Sequence, residues 1–309
     1  MEQNIHFTYA EILILGLCTC KCFYCLGNEM TEASKQNQLH TDFKQWKNFD
    51  EFIIKARSLN IKKVYVSSVN SDPFIYDYLY ELLTELRKHF SLVGIRGNAA
   101  NLTADMYRCL DLCNEEVSLS LNSNVPNISE KIAGKHASYE WNNLMFYLDR
   151  ENRLHSKDVN FKSSNPDRRF RVSIVVNRYN MPGILNFLEN TLIYYDNISY
   201  VQLRRVYKYN DCPYFEEDQK AFDQLQNYVA SVYEKVDEFK GTSIYEVSKT
   251  EDDYFDESTD IRHYKLKFSF WEDVFPPSSI RSFNYFTSGK ISTNHLLVPG
   301  YEQDIAEPQ

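Results

Sequence analysis

The chain has 309 residues, 43% apolar and 25% charged, a globular composition that excludes a disordered, collagen-like or disulfide-scaffold protein. Lys plus Arg number 34 and Asp plus Glu 43, for a formal net charge of −9, which disfavours non-specific attraction to nucleic acid or anionic lipid. Only 9 residues are glycine against 23 Tyr and 20 Phe, so long flexible glycine-rich segments are not expected.

From residue 12 onward, short β-rich runs alternate with helical periods. Ile12 to Leu17 is a continuous aliphatic run of the kind that forms a strand buried on both faces. Phe43, Trp46, Phe49, Ile53 and Ala56 follow at helical spacing behind the N-cap candidate Asp42. Lys63 to Ser67 reads as a strand, and Pro73 opens a helix with an inner face of Ile75, Leu79, Leu82, Leu83 and Leu86. Leu92 to Ile95 is a third strand, before a helix capped by Thr103 that carries Met106, Leu110 and Cys113. Val117 to Leu121, Arg171 to Val176 and Tyr200 to Val206 read as strands. Helices are expected around Tyr139 to Leu148, near Ile184 to Tyr194, and through Phe222, Leu225, Val229, Val232 and Val236.

Strands alternating with helices require a mostly parallel sheet with right-handed crossovers. Six such units are too few for a closed eight-stranded barrel, leaving a partial, curved barrel or a doubly wound sheet. In both, ligands bind at the carboxyl ends of the strands. The polar stretch 150–168 reads as a solvated insertion. After residue 240 the alternation fails: 249–262 is acidic, 264–270 alternates like a strand, and 283–292 reads as a hairpin turning at Ser288-Gly289. The expected division is therefore a core over 1–210 and an α+β extension over 211–309.

Seven cysteines are ordinary for this length, but Cys18, Cys20, Cys22 and Cys25 fall within eight consecutive residues. The apolar run before them superficially resembles a signal-peptide core. However, acidic Glu2 and Glu11 precede it, no Lys or Arg comes before Lys21, and Leu17 stands beside the first cysteine. No apolar stretch approaches the roughly 18 residues that span a bilayer. A dense thiol cluster without an export signal points to a reducing compartment, and a cytoplasmic location is expected.

Cys18, Cys22 and Cys25 have the spacing C-x3-C-x2-C directly after the first strand. Three thiolates on one loop can hold three irons of a cubane and leave the fourth open to a substrate. With Tyr24 before the last cysteine, the segment resembles the radical S-adenosylmethionine superfamily. The organisation of roughly the first 210 residues fits, as a partial (β/α)6 TIM-like barrel. The resemblance implies one [4Fe-4S] cluster on Cys18, Cys22 and Cys25, with S-adenosylmethionine as second cofactor and Tyr24 against its adenine. Reductive cleavage would give a 5′-deoxyadenosyl radical that takes hydrogen from an organic substrate: a peptide, a nucleotide or a small metabolite. An electron donor such as flavodoxin or ferredoxin is implied as partner. Nothing suggests a membrane, and nucleic acid is disfavoured by the charge.

The same resemblance marks further positions. Where the superfamily carries a Gly-Gly-Glu-Pro-like stretch, this chain has Ser67-Ser68-Val69-Asn70-Ser71-Asp72-Pro73, without the glycine pair. Asp72, then Ser71 and Asn70, are candidates for the amino group of S-adenosylmethionine, and Asp72 is equally an N-cap before Pro73. Gly97-Asn98 occupies the place of a Thr-Asn-Gly-like turn. Ser120 and Asn122 resemble ribose or carboxylate contacts, and Ser173 and Asn177 are candidates for contacts to the amino-acid or ribose moiety. Arg204, on one face of strand six with Gln202, could bind a carboxylate or phosphate, or pair with a surface acid.

The competing readings are a zinc-stabilised binding or scaffold protein, using Cys18, Cys20, Cys22 and Cys25 as a structural site, and an electron-transfer or sensing module that keeps the cluster. Cys20 has no assigned role. Cys109 and Cys113 fall on an apolar helix face as structural thiols. No cysteine follows Cys212, so the extension cannot hold a second cubane. It is expected to cover the barrel mouth, with Trp271, Phe283, Tyr285 and Phe286 either lining a pocket or forming its own core.

Overall fold

The elements follow one another as strand-then-helix in a computed structural model that describes residues 7–25, 36–155, 170–206, 214–239, 242–252, 261–271 and 282–293. Cys212 and the junction near residue 210 lie outside the described residues, as do most of 150–168 and part of 249–262. The chain forms two compact units, Met1–Ser118 with Val274–Gln309, and Leu119–Asp273. The segment after residue 210 is thus shared between both units.

The first unit contains β1 (Tyr9–Ile14), α1 (Phe49–Ser58), β2 (Lys63–Ser68), α2 (Leu79–His89), β3 (Leu92–Asn98) and α3 (Tyr107–Leu112). β4 (Val117–Ser120) carries the chain into the second unit. That unit contains α4 (Pro126–Ala133), α5 (Glu140–His155), β5 (Phe170–Val175), α6 (Met181–Asn190), β6 (Ile198–Arg204), α7 (Phe215–Val232), β7 (Lys235–Phe239), β8 (Thr242–Asp252) and β9 (Ile261–Trp271). β10 (Ser282–Phe286) and β11 (Lys290–Ser292) complete the first. The six strand–helix units read from the sequence are all present, and the class is α/β with a mostly parallel sheet. β1 pairs β2 and β2 pairs β3 in parallel, as does β5 with β6.

The strands of the C-terminal segment extend these sheets. β10 lies parallel to β1 and forms the expected hairpin with β11, turning through Gly289 at φ +94°. β9 lies parallel to β6 and is followed outward by antiparallel β8 and β7. Phe283 stacks on Phe52, and Tyr285 packs against Phe52, Phe49 and Trp46. Phe283, Tyr285 and Phe286 are all buried, so these rings are core rather than pocket wall. Trp271 is half-buried and donates to the Tyr200 hydroxyl at 3.0 Å.

Local departures from the expected elements have local causes. The helix expected from Phe43 is a 3-10 turn, Phe43–Gln45, capped by Asp42, and α1 starts only at Phe49. Between them Asn48 takes φ 62°, a left-handed conformation that interrupts a helix. α7 stops at Val232, and Val236 lies on β7. α4, opened by Pro126, has no counterpart among the elements read from the sequence.

Candidate metal and cofactor site

The cysteine loop leaves β1 at its carboxyl end and is tied down on several sides. Leu15 N–H donates to Thr287 Oγ1 at 3.0 Å, Gly16 N–H to Asn70 Oδ1 at 3.4 Å, and Cys18 N–H to Asn70 O at 3.1 Å. Gly16 is needed here because a Cβ would stand 2.5 Å from Leu39 Cγ. Thr19 Oγ1 donates to Asn101 Oδ1 at 2.7 Å, linking the loop to the turn after β3.

The four thiols are not equivalent. Cys20 is buried at 6% exposure, whereas Cys18, Cys22 and Cys25 are half-buried. The Cys20 backbone N–H donates to Cys18 Sγ at 3.4 Å. Hydrogen bonding from Cys20 holds the Cys18 thiol below its ordinary pKa, against the opposing effect of burial, which favours thiolate. Cys25 N–H closes a turn onto Cys22 O at 3.1 Å, and Tyr24 packs edge-on against Phe23. Leu17, at the head of the loop, is 71% exposed.

No three His, Cys, Asp or Glu side chains converge on a single metal-ion position among the described residues. A zinc ion needs its thiolates together at about 2.3 Å. A cubane carries its irons at separate corners, so its thiolates need not meet at one point. Three half-buried thiols beside one buried thiol offer three accessible donors rather than four, the number a cubane with one open iron takes.

Beside the loop, the turn after β2 carries Asn70, Ser71 and Asp72. Asp72 is buried, with Oδ1 accepting from Phe74 N–H at 2.9 Å and Oδ2 from Asn98 N–H at 2.7 Å. Burial pushes its carboxyl up to about 7. Asp72 is thus both an N-cap of the 3-10 turn Pro73–Ile75 and a tie to β3. Gly97 permits that approach, since its Cβ would lie 2.5 Å from the Phe74 ring. Ser71 Oγ is buried without a hydrogen-bond partner among the described residues, an orphaned hydroxyl of the kind a ligand satisfies.

The remaining candidates lie in the second unit. Ser120 is exposed at the end of β4. Asn122 is buried, donating from its N–H and Nδ2 to the two oxygens of Glu140 at 2.7 and 2.6 Å. Asn177 donates from Nδ2 to Val175 O and accepts at Oδ1 from Tyr179 N–H, at 2.9 and 3.0 Å. Asn180 closes this network by donating to Asn122 O and Val175 O, both at 2.9 Å. The carboxamides of Asn122 and Asn177 thus have protein partners. Ser173 Oγ reaches Gln202 Oε1 at 3.5 Å, and Arg204 is half-buried at the end of β6. Arg205, on the other face, is held by Gln219 and Asp223 at 2.8 and 2.7 Å.

Several participants escaped sequence reasoning. Thr19, Asn101 and Glu140 carry no local motif. Glu11 and Asn284 had a readable signal: each is a polar residue inside an otherwise apolar strand run.

No protein-family model matches the chain, and no curated protein matches its sequence. Its fold is similar to the crystal structure of SuiB from Streptococcus suis, with a TM-score of 0.59 and 10% identity over 97% of this chain. It is likewise similar to SuiB bound to S-adenosylmethionine, with a TM-score of 0.58 and 10% identity over 96% of this chain. In both cases the chain spans 65% of SuiB's length. At that identity the likeness is one of fold.

Proposed function

We propose that the chain is a radical S-adenosylmethionine enzyme holding one [4Fe-4S] cluster on Cys18, Cys22 and Cys25. The observation that carries this reading is the loop after β1, which leaves those three thiols half-exposed while Cys20 is buried. When bound, the cluster supplies one electron that cleaves S-adenosylmethionine to methionine and a 5′-deoxyadenosyl radical, the species that takes hydrogen from substrate.

The chain's own groups prepare that chemistry. Asn70 anchors the loop through Gly16 and Cys18, and Thr19 latches it to Asn101. The Cys20 N–H supports negative charge on the Cys18 sulfur. Ser71 offers its orphaned hydroxyl to the amino-acid end of S-adenosylmethionine, and Asp72 holds the turn that presents it. The substrate is a peptide, a nucleotide or a small metabolite, and a flavodoxin- or ferredoxin-type donor supplies the electron.

Anaerobic reconstitution tests the reading. The expected result is about four irons and four sulfides per chain, broad absorption near ~400 nm, and 5′-deoxyadenosine after reduction with S-adenosylmethionine. Stoichiometric zinc without cleavage would sink it, and a cluster without cleavage would leave only an electron-transfer or sensing module.

A further inference from the structure

In the first unit, the strand face turned away from α1 carries a buried polar row. Asn284 on β10 is in register with Glu11 on β1, and Glu11 with Tyr65 on β2, which pairs with Gly94 on β3. Residues paired in register share a face, and the rings of Phe283 and Tyr285 against Phe52 show that Asn284 points the other way. Arg96, two residues beyond Gly94, lies on this face too. Its guanidinium sits 3.9 Å from the centre of the Tyr65 ring and 4.8 Å from that of Tyr9, and Nη1 donates to Glu11 Oε1 at 3.0 Å.

Two features of this row are costly in a purely structural core. Asn284 is 0% exposed, and neither its Nδ2 nor its Oδ1 has a hydrogen-bond partner among the described residues. Arg96 Nε is likewise buried without one, although the Arg96 side chain as a whole keeps 23% exposure. An unsatisfied buried amide beside a compensated ion pair, next to a partly open arginine, is an arrangement that a bound polar group would complete.

We infer that Asn284, Glu11 and Arg96 form a subsite for a neutral amide group of the substrate. This rests on the proposed enzymatic reading, which it deepens by naming a substrate class. Arg96 and Glu11 cancel each other's charge, so an added phosphate or carboxylate would meet Glu11, and an added ammonium would meet Arg96. An amide brings at least one N–H donor and one carbonyl acceptor, the complement of the unpaired carboxamide of Asn284. The amide belongs either to a peptide backbone or to a primary carboxamide, and the probes below distinguish the two.

The test is a nitrogen-15 NMR titration of the full chain with N-acetylglycine N-methylamide, acetamide or inorganic phosphate. The Asn284 side-chain signal is identified by its loss in Asn284→Leu. The expected result is saturable binding of an amide probe that shifts this signal and weakens at least tenfold in Asn284→Leu, with phosphate without effect. The bis-amide binding more tightly marks a peptide source, and acetamide binding more tightly a primary carboxamide. Asn284→Leu is also expected to raise Tm, because it removes an unpaired buried amide. A matching variant at Asn197, a buried carboxamide likewise without partners among the described residues, should leave amide binding unchanged. Absence of saturable binding, equal affinity in Asn284→Leu, tighter binding of phosphate, or a lowered Tm for Asn284→Leu would each overturn the subsite. Binding is read without iron, reductant or S-adenosylmethionine, so its failure and that of the enzymatic reading remain distinguishable.

Discussion

Glu140 lies fully buried beneath the turn after β4, where both of its oxygens accept hydrogen bonds from Asn122, at 2.7 Å from the backbone N–H and 2.6 Å from Nδ2. Those bonds favour the carboxylate, but burial outweighs them and pushes the carboxyl up to about 8. Asp72 in the other unit is displaced the same way, to about 7.

The pH dependence of stability follows from these two groups. A carboxyl whose folded pKa exceeds its unfolded value keeps its proton longer in the native state, so the unfolded state binds fewer protons as pH rises. Stability present below the unfolded values is lost as pH climbs through the folded ones. Tm should therefore fall between about pH 5 and about pH 8, and Glu140→Gln should flatten much of that slope while leaving the share due to Asp72. Scanning calorimetry across this window checks it; a Tm that rises or stays level in the wild type would contradict the assignment.

The cysteine loop separates its thiols by burial, and this yields a contrast within one short segment. Cys18→Ala, Cys22→Ala and Cys25→Ala should each lose most reconstituted iron, whereas Cys20→Ala should retain it. Iron and sulfide assays after anaerobic reconstitution make the comparison. Equal loss in all four variants would return Cys20 to the ligand set and revive the four-thiolate site.

Thr19 and Asn101 are 82 residues apart in sequence yet share a 2.7 Å hydrogen bond. Thr19→Val preserves shape and removes the donor, which should cost about 0.5–1.5 kcal/mol. The loop would also lose a tether, so iron uptake during reconstitution should slow more than the small fall in Tm alone would suggest. Unchanged uptake kinetics would reduce this contact to a stabilising one.

How far the sequence alone carries depends on the range of each interaction. Periodicity reports burial along one segment, so the six strand–helix units and the hairpin at Gly289 were legible. The break at Asn48 was not, because it depends on one backbone angle rather than on pattern. The partners of β9 and β10 were hidden for another reason: a strand's own residues announce that it will pair, but not that β10 will lie against β1, some 270 residues away. The cysteine spacing was readable because all its donors fall within one loop. The Asn122–Glu140 and Thr19–Asn101 contacts join residues that belong to no shared motif. Asn122 donates to Glu140, a partner that nothing in its own strand announces.

Gly94 gives the last prediction, because its missing side chain shapes the row that holds Arg96. The Tyr65 ring lies across β3 at this position: a Cβ on residue 94 would stand 2.6 Å from Tyr65 Cε1 and 3.0 Å from the Glu116 carbonyl oxygen. The carbonyl is backbone, so the ring must yield, yet it is also the platform on which the Arg96 guanidinium rests at 3.9 Å. Gly94→Ala should therefore destabilise the chain by about 1–3 kcal/mol through overpacking, and displace Arg96 from Glu11. Urea denaturation measures the first effect. The second is read by combining Gly94→Ala with Arg96→Lys: because both act on the same stack, their costs should fall short of additivity by about 0.5 kcal/mol or more. Strict additivity would show that the ring moves without carrying the guanidinium with it.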